Sequence, residues 1–246
     1  MEGLEVKEIL YSNTLSNKDF RTDSDFWTKE PFINSNLSYR KVGTLLNKAQ
    51  YGLSISMNED GKGYPIYRMN EIHNMLCDLE ADKCADISHD DFLRFKLEDK
   101  DVLFNRTNSY EWVGRTGIYR NTNKTNCTFA SYLVKLVPDE KVILPEYLTT
   151  YLNTRYGIKD IKRRSRQSIN QTNVNPEEVK EILIPILSLK FQENIRNCFD
   201  RAYINRVKTN QLYSTAESIL LEPLGLKNFS PSIEPFNIKS FKGSFC

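Results

Sequence analysis

The densest charge in the sequence lies at Arg155–Asn170. Arg155, Lys159, Lys162, Arg163, Arg164 and Arg166 stand against one acid, Asp160, and the amides Gln167, Asn170, Gln171 and Asn173 are part of the run or follow it. Cations at this density neutralise phosphates, and carboxamides pair with base or sugar edges. The same run also fits an ordinary solvated surface. A second cluster is LFNRTNSYEWVGRTG, Leu103–Gly117: a strand end releases Asn105, Arg106, Thr107, Asn108 and Ser109, followed by Tyr110, Trp112, Gly114 and Arg115. Forked guanidinium and amide donors on a strand-held loop suit planar polar edges. A polar turn with its aromatics in the core is the plain alternative.

Two other chemistries are open to these residue types. Asp160 with Glu178-x-Lys180 resembles the acid and acid-x-Lys layout of Mg²⁺-dependent nucleases, whose acids meet one metal from adjacent strands. A position in the first turn of a capped helix explains Glu178 without catalysis. His73, Cys77, Cys84 and His89 are zinc-ligand types, but their spacings of four, seven and five residues match no compact finger or ribbon. There is no P-loop, no Gly-rich nucleotide fingerprint and no Asn-Pro-Pro-Tyr. With His73 and His89 as the sole histidines, a Ser-His or Cys-His engine has few candidates.

The elements that must position these residues read as follows. Residues 1–34 form a polar, aromatic-flecked lead-in that packs on something else. Tyr39–Asn47 is a short helix or strand, Tyr51-Gly52 and Gly61-Lys62-Gly63 supply turns, and Tyr64–Met69, Val102–Phe104 and Phe129–Val137 are strands, the last central. Pro145 opens a helix, and Asn175-Pro176-Glu177-Glu178 opens another as a capping box. Leu189–Leu221 lacks Gly and Pro and carries apolar residues at steps of three and four, from Phe191 and Ile195 to Ile219/Leu220. Ser188 caps this helix, and Pro223 with Gly225 stops it. At about 1.5 Å per residue it is roughly 50 Å long, and its stripe needs a partner. Phe236–Phe241 echoes Leu4–Ile9 as apolar-x-apolar-Lys-x-apolar, with Ser12 and Ser244 in step.

The chain has 246 residues, 39% apolar and 27% charged, with a net charge of +2, which fits a soluble globular protein. No apolar run reaches the roughly 20 residues of a membrane span, the start is no signal peptide, and five unevenly spaced Cys point to free thiols in a reducing cytoplasm.

Taken in order, several pieces resemble the specificity subunits of type I restriction–modification systems. They are Tyr51-Gly52, Gly63–Ile72 (GYPIYRMNEI), Asp101–Ser109 (DVLFNRTNS), Val113-Gly114, Ala130–Leu133, Pro145–Leu148, Gln167–Gln171 (QSINQ), Ile184–Ile186 and Gln192–Ile195. The match spans roughly 40–225. Lys100 stands where the family often has Gly, and Ser188 stands near an expected Pro.

The resemblance implies a mixed α/β target-recognition domain that reads double-stranded DNA, followed by a spacer helix that forms an antiparallel coiled coil with a partner. The expected divisions are a lead-in at 1–34, the recognition domain at 35–187, the spacer at 188–224, and a linker with the start of a second repeat at 225–246. That is a half-subunit, natural or cut at a module border. It would form a homodimer through helix 189–221. Arg68, Asn105, Arg106, Asn108 and Arg115 would approach DNA from one side, and Lys162, Arg163, Arg164, Arg166, Gln167, Asn170 and Gln171 from another. No catalytic residue and no cofactor are expected in this chain. S-adenosylmethionine, Mg and ATP would bind to the DNA methyltransferase (modification) and restriction subunits. The rival readings are the nuclease of Asp160, Glu178 and Lys180 and a helical protein-binding adaptor.

Overall fold

A computed structural model describes residues 6–16, 20–121 and 124–227. The echo at Phe236–Phe241, its match at Leu4–Ile9 in part, and nearly all of the expected linker and second repeat lie outside the described residues. Two compact units are distinguished, one ending at Arg201 and one beginning at Ala202. The helix Leu189–Leu221 starts in the first and continues in the second, with the bounds that its apolar spacing predicts.

The first unit is built on a six-stranded sheet in the order Leu46–Tyr51, Leu133–Pro138, Val102–Asn105, Thr116–Ile118, Leu76–Cys77, Ile72–His73. Its pairs are antiparallel except Leu76–Cys77 with Thr116–Ile118. Val102–Asn105 and Thr116–Ile118 are buried at every residue, as strands covered on both faces must be. The expected strand Phe129–Val137 is broken in two. Thr128–Phe129 pairs with Tyr64–Tyr67 in a separate three-stranded sheet, and Leu133–Pro138 enters the large one as an interior strand. The break at Ala130 lies against Gly52. A Cβ there would sit 2.3 Å from the Ala130 carbonyl oxygen, so only glycine permits the approach. Tyr39–Asn47 resolves into the strand Tyr39–Lys41, a 3-10 turn Val42–Leu45 and the start of Leu46–Tyr51.

The helices, in chain order, are α1 (Tyr11–Ser16), α2 (Ser24–Thr28), α3 (His89–Phe95), α4 (Pro145–Asn153), α5 (Arg155–Arg164), α6 (Pro176–Lys180) and α7 (Leu189–Leu221). The basic run is therefore a helix. Thr154 ends α4 through its N–H on Tyr151 and caps α5 by accepting from Gly157 N at 3.2 Å. Asp160, Arg163 and Arg164 share the buried face of α5, as three- and four-residue spacing dictates. The lead-in packs on this face. Phe26 of α2 is buried beneath the Arg21, Arg163 and Arg164 guanidinium groups, at 4.8, 4.6 and 5.7 Å from its ring centre.

Asn175 caps α6 as expected, accepting from Glu177 N at 3.1 Å. Glu178 does not complete a capping box; its carboxylate takes Arg164 Nη1 at 2.7 Å. Ser188 Oγ accepts Phe191 N at 3.3 Å at the start of α7. Beyond its end, Gly225 takes the left-handed conformation, φ +69°. Among the described residues, no helix is long and apolar enough to cross a membrane.

Arg164 neutralises two buried acids, Asp160 at 2.9 Å and Glu178 at 2.7 Å. Arg164→Ala removes the cation facing Glu178, and breaking a buried pair from one side costs about 3–5 kcal/mol. A fall of that size in the unfolding free energy, read from urea denaturation, is the expected result.

Candidate nucleic-acid interface

The two polar clusters meet on one ribbon. Arg166–Gln167, Thr172–Asn173 and Thr107–Asn108 form a three-stranded antiparallel sheet in that order. Arg166, Asn173 and Thr107 stand in one row, and Gln167, Thr172 and Asn108 in the next. Thr107 Oγ1 donates to Asn173 Oδ1 at 2.6 Å, and Val174 N to Arg106 O at 2.8 Å, so the ribbon is tied to the large sheet through Arg106. At the tip, both the N–H and the hydroxyl of Ser168 donate to Gln171 O, at 2.7 and 2.9 Å. Ile169 and Asn170 form the bend. Arg166, Gln167, Ile169, Asn170 and Gln171 are all exposed. Pairing between segments some sixty residues apart is invisible to local pattern, which is why the sequence shows two clusters and not one site.

Asn108 is half-buried, its Oδ1 accepting Ser109 N at 2.8 Å. Arg106 lies 5.2 Å from the exposed Tyr51 ring, and its Nε is buried without a hydrogen-bond partner. Arg115 lies flat on Trp112, 3.4 Å from the ring centre, and donates to Ile72 O at 3.2 Å. Burial holds its pKa below the usual value, with Glu111 opposing. Arg68 folds back on Glu71 and Asp82 and helps cap the turn Met69–Glu71, so its fork is occupied by carboxylates.

Four expected contacts are corrected. Asn105 is fully buried; its Nδ2 donates to Trp112 O at 3.3 Å, and its carbonyl takes Gly114 N, which pins the Ser109–Gly114 turn. Arg163 and Arg164 are buried against Asp160 and Phe26. A guanidinium desolvated in this way answers to its acid and not to solvent. Lys162 donates to the carbonyls of Tyr110, Glu111 and Val113 and closes the same turn. Burial pushes its pKa down to about 8, with Glu111 opposing. The signal for the burial was present: Asp160 stands three and four residues before Arg163 and Arg164.

The nuclease layout is not assembled. Asp160 and Glu178 are counterions of arginines, and Lys180 pairs with Glu177 at 2.7 Å. The zinc types are apart in role. His73 faces Asp78, His89 faces Tyr64, Cys77 is in the core and Cys84 is in a short strand. Among the described residues, no three His, Cys, Asp or Glu side chains gather to hold a metal.

Comparison with known proteins agrees with the motifs. No family model matches the chain. It is 28% identical over 210 residues to the putative type I restriction enzyme MjaX specificity subunit of Methanocaldococcus jannaschii, covering 83% of this chain and 48% of that one. It is 25% identical over 177 residues to the type I restriction enzyme EcoKI specificity subunit of Escherichia coli, covering 72% and 36%. The chain thus spans less than half the length of these curated relatives. A chain from a solved type I R-M system superposes with a TM-score of 0.50 at 17% identity, over 78% of this chain and 45% of the other. That likeness is one of fold, a mixed α/β domain with a long helix.

Buried and exposed cations are separable by experiment. Arg163→Ala is expected to lower Tm by several degrees, and Lys159→Ala, at an exposed position of the same helix, to leave it unchanged within error, in a thermal melt. Lys162 adds a pH signature. Its folded pKa of about 8 lies below the unfolded 10.5, so the unfolded chain binds more protons between these values. Stability relative to Lys162→Met therefore rises as pH increases from 8 towards 10.5, read from urea midpoints across that range.

Proposed function

We propose that this chain, similar to type I restriction specificity subunits, is a DNA target-recognition module with its spacer helix. The ribbon Thr107–Asn108/Arg166–Asn173 is the element that meets duplex DNA. The observation that carries this reading is the meeting of segments from the two clusters on one ribbon whose outer strand and closed tip, Arg166–Gln171, are exposed. The outer hairpin of this sheet, Arg166–Asn173, is a two-stranded ribbon of the kind that fits the major groove. Arg pairs with guanine or phosphate, and Asn and Gln pair with adenine. Arg106 and Arg115, half-buried on their aromatic supports, serve the backbone.

The chain itself carries out no reaction. Methylation and cleavage belong to a DNA methyltransferase subunit and a restriction subunit, where S-adenosylmethionine, Mg and ATP bind. The place of action is the cytoplasm, a reading that the thiols of Cys84, Cys127 and Cys198 support, none of which is in a disulfide among the described residues.

Within the second unit, Leu212, Tyr213, Ile219 and Leu220 of α7 are 60–73% exposed. Leu212, Ala216, Ile219 and Leu220 recur at helical steps and form the contact for an antiparallel twin helix. The expected face at Phe191, Ile195, Phe199 and Val207 is less available. Phe199 is buried, and Ile195 and Val207 are half-buried. The domain divisions at 34/35, 187/188 and 224/225 remain part of this reading. A homodimer restores two recognition modules and reads symmetric half-sites.

Fluorescence anisotropy with duplex DNA at several salt concentrations tests the recognition role. The logarithm of affinity should fall with the logarithm of salt at about 0.9 per phosphate neutralised. The triple exchange Gln167→Ala, Asn170→Ala, Gln171→Ala should weaken binding to the selected site at least tenfold and hardly change non-specific binding. A flat salt response contradicts the reading. For the helix, Leu212→Asp with Ile219→Asp should convert a dimer to a monomer in sedimentation at tens of micromolar.

A further inference from the structure

We infer that Ile169 is a base-reading residue that packs on the 5-methyl group of a thymine in the major groove, with a neighbouring carboxamide on adenine. This rests on the DNA reading above and deepens it by naming the kind of base pair that the tip takes.

Ile169 is 100% exposed, at the bend between Ser168 and Gln171. Tight bends are filled by Gly, Asn, Asp, Ser and Pro, each for a local physical reason, and a β-branched apolar side chain offers none of them. The bend does not need it either. Ser168 closes the tip with two hydrogen bonds to the Gln171 carbonyl, neither of which uses the Ile169 side chain. A single exposed apolar residue is ordinary on a protein surface. Its company sets this one apart, since Gln167, Asn170 and Gln171 surround it and are exposed with it. An apolar group for the thymine methyl and a carboxamide for adenine N6 and N7 are the complement that an A·T pair presents in the major groove. The minor groove offers no methyl group. The two hydrogen bonds of Ser168 to Gln171 O close the tip that carries Ile169, and its side chain is fully exposed there.

The test uses the full chain as wild type, Ile169→Val and Ile169→Ala. Because the side chain is exposed, the three should melt together. Binding sites are selected from duplexes with a randomised segment at low salt, and anisotropy is then measured on the selected site with each thymine replaced in turn by deoxyuridine, which lacks the methyl group alone. The wild type is expected to select a site holding a T·A pair at which the exchange weakens binding about fourfold, the factor given by roughly 0.8 kcal/mol per buried methyl-sized group. Ile169→Val should keep this sensitivity, and Ile169→Ala should bind both sites equally. A wild type that selects a site yet ignores every such exchange overturns the inference and leaves the DNA reading standing. So does an Ile169→Ala protein with unchanged affinity and unchanged sensitivity. A rise in 2-aminopurine fluorescence without a methyl effect makes Ile169 an unstacking wedge and overturns the methyl contact. A wild type that enriches no sequence overturns both this inference and the reading on which it rests.

Discussion

The fold depends on one buried carboxamide. Gln192, in the first turn of α7, is fully buried; its oxygen accepts Leu144 N at 2.8 Å, and its nitrogen donates to Val142 O at 3.3 Å and Leu187 O at 2.9 Å. Leu144 is the residue before α4, and the glutamine from another helix takes its backbone N–H, a donor that the start of a helix leaves open. Arg196 and Asp200 continue the stripe one and two turns on. Arg196 reaches the buried Glu146 at 3.2 Å and Glu140 at 2.7 Å, and Asp200 takes Arg120 at 2.8 Å. A buried polar group tolerates few arrangements, because each alternative leaves it unpaired. The start of α7 is fixed to the sheet domain more specifically than an apolar seam could fix it.

The same logic governs the cations. Positive charge in a sequence is a property of residues, but availability to phosphate is a property of burial. On α5 the helix period divides the run. Asp160, Arg163 and Arg164 go inward with Phe26 and Glu178, Lys162 is taken by three turn carbonyls, and Arg166 lies past the helix end on the ribbon. The inward set holds the lead-in, α5 and α6 together. A modest net charge is no obstacle to such a site, since the concentration of polar groups at one ribbon matters more than their sum.

What the sequence made legible was local. The bounds of α7, its Ser188 cap, the Asn175 cap with Pro176, the Pro145 start and the strand at Val102–Asn105 all follow from signals within a few residues. Pairings at a distance were not legible. Asn105 looked like a loop donor because nothing nearby showed that the Trp112 carbonyl would cover it. Arg163 and Arg164 looked like surface because their helix was not recognised as one. Glu178 looked like a capping partner, and the pull of a buried guanidinium from α5 outweighed that role. The ribbon was half legible: its residue types stand in the sequence, and their assembly depends on the Thr107–Asn173 and Asn108–Thr172 register.

The joint between α4 and α5 sets a phase. Thr154 ends one helix and begins the next, and a Cβ on Gly157 would fall 2.3 Å from the Tyr151 carbonyl, so the elbow has no slack in length or width. Each residue of an α-helix turns by about 100°. One residue inserted between Gly157 and Asp160 would swing the arginines out to solvent, drive Lys162 away from its turn and twist the root of the ribbon. Side chains at the bend of the ribbon can therefore be exchanged without disturbing the fold, while the count of residues leading to it is nearly frozen.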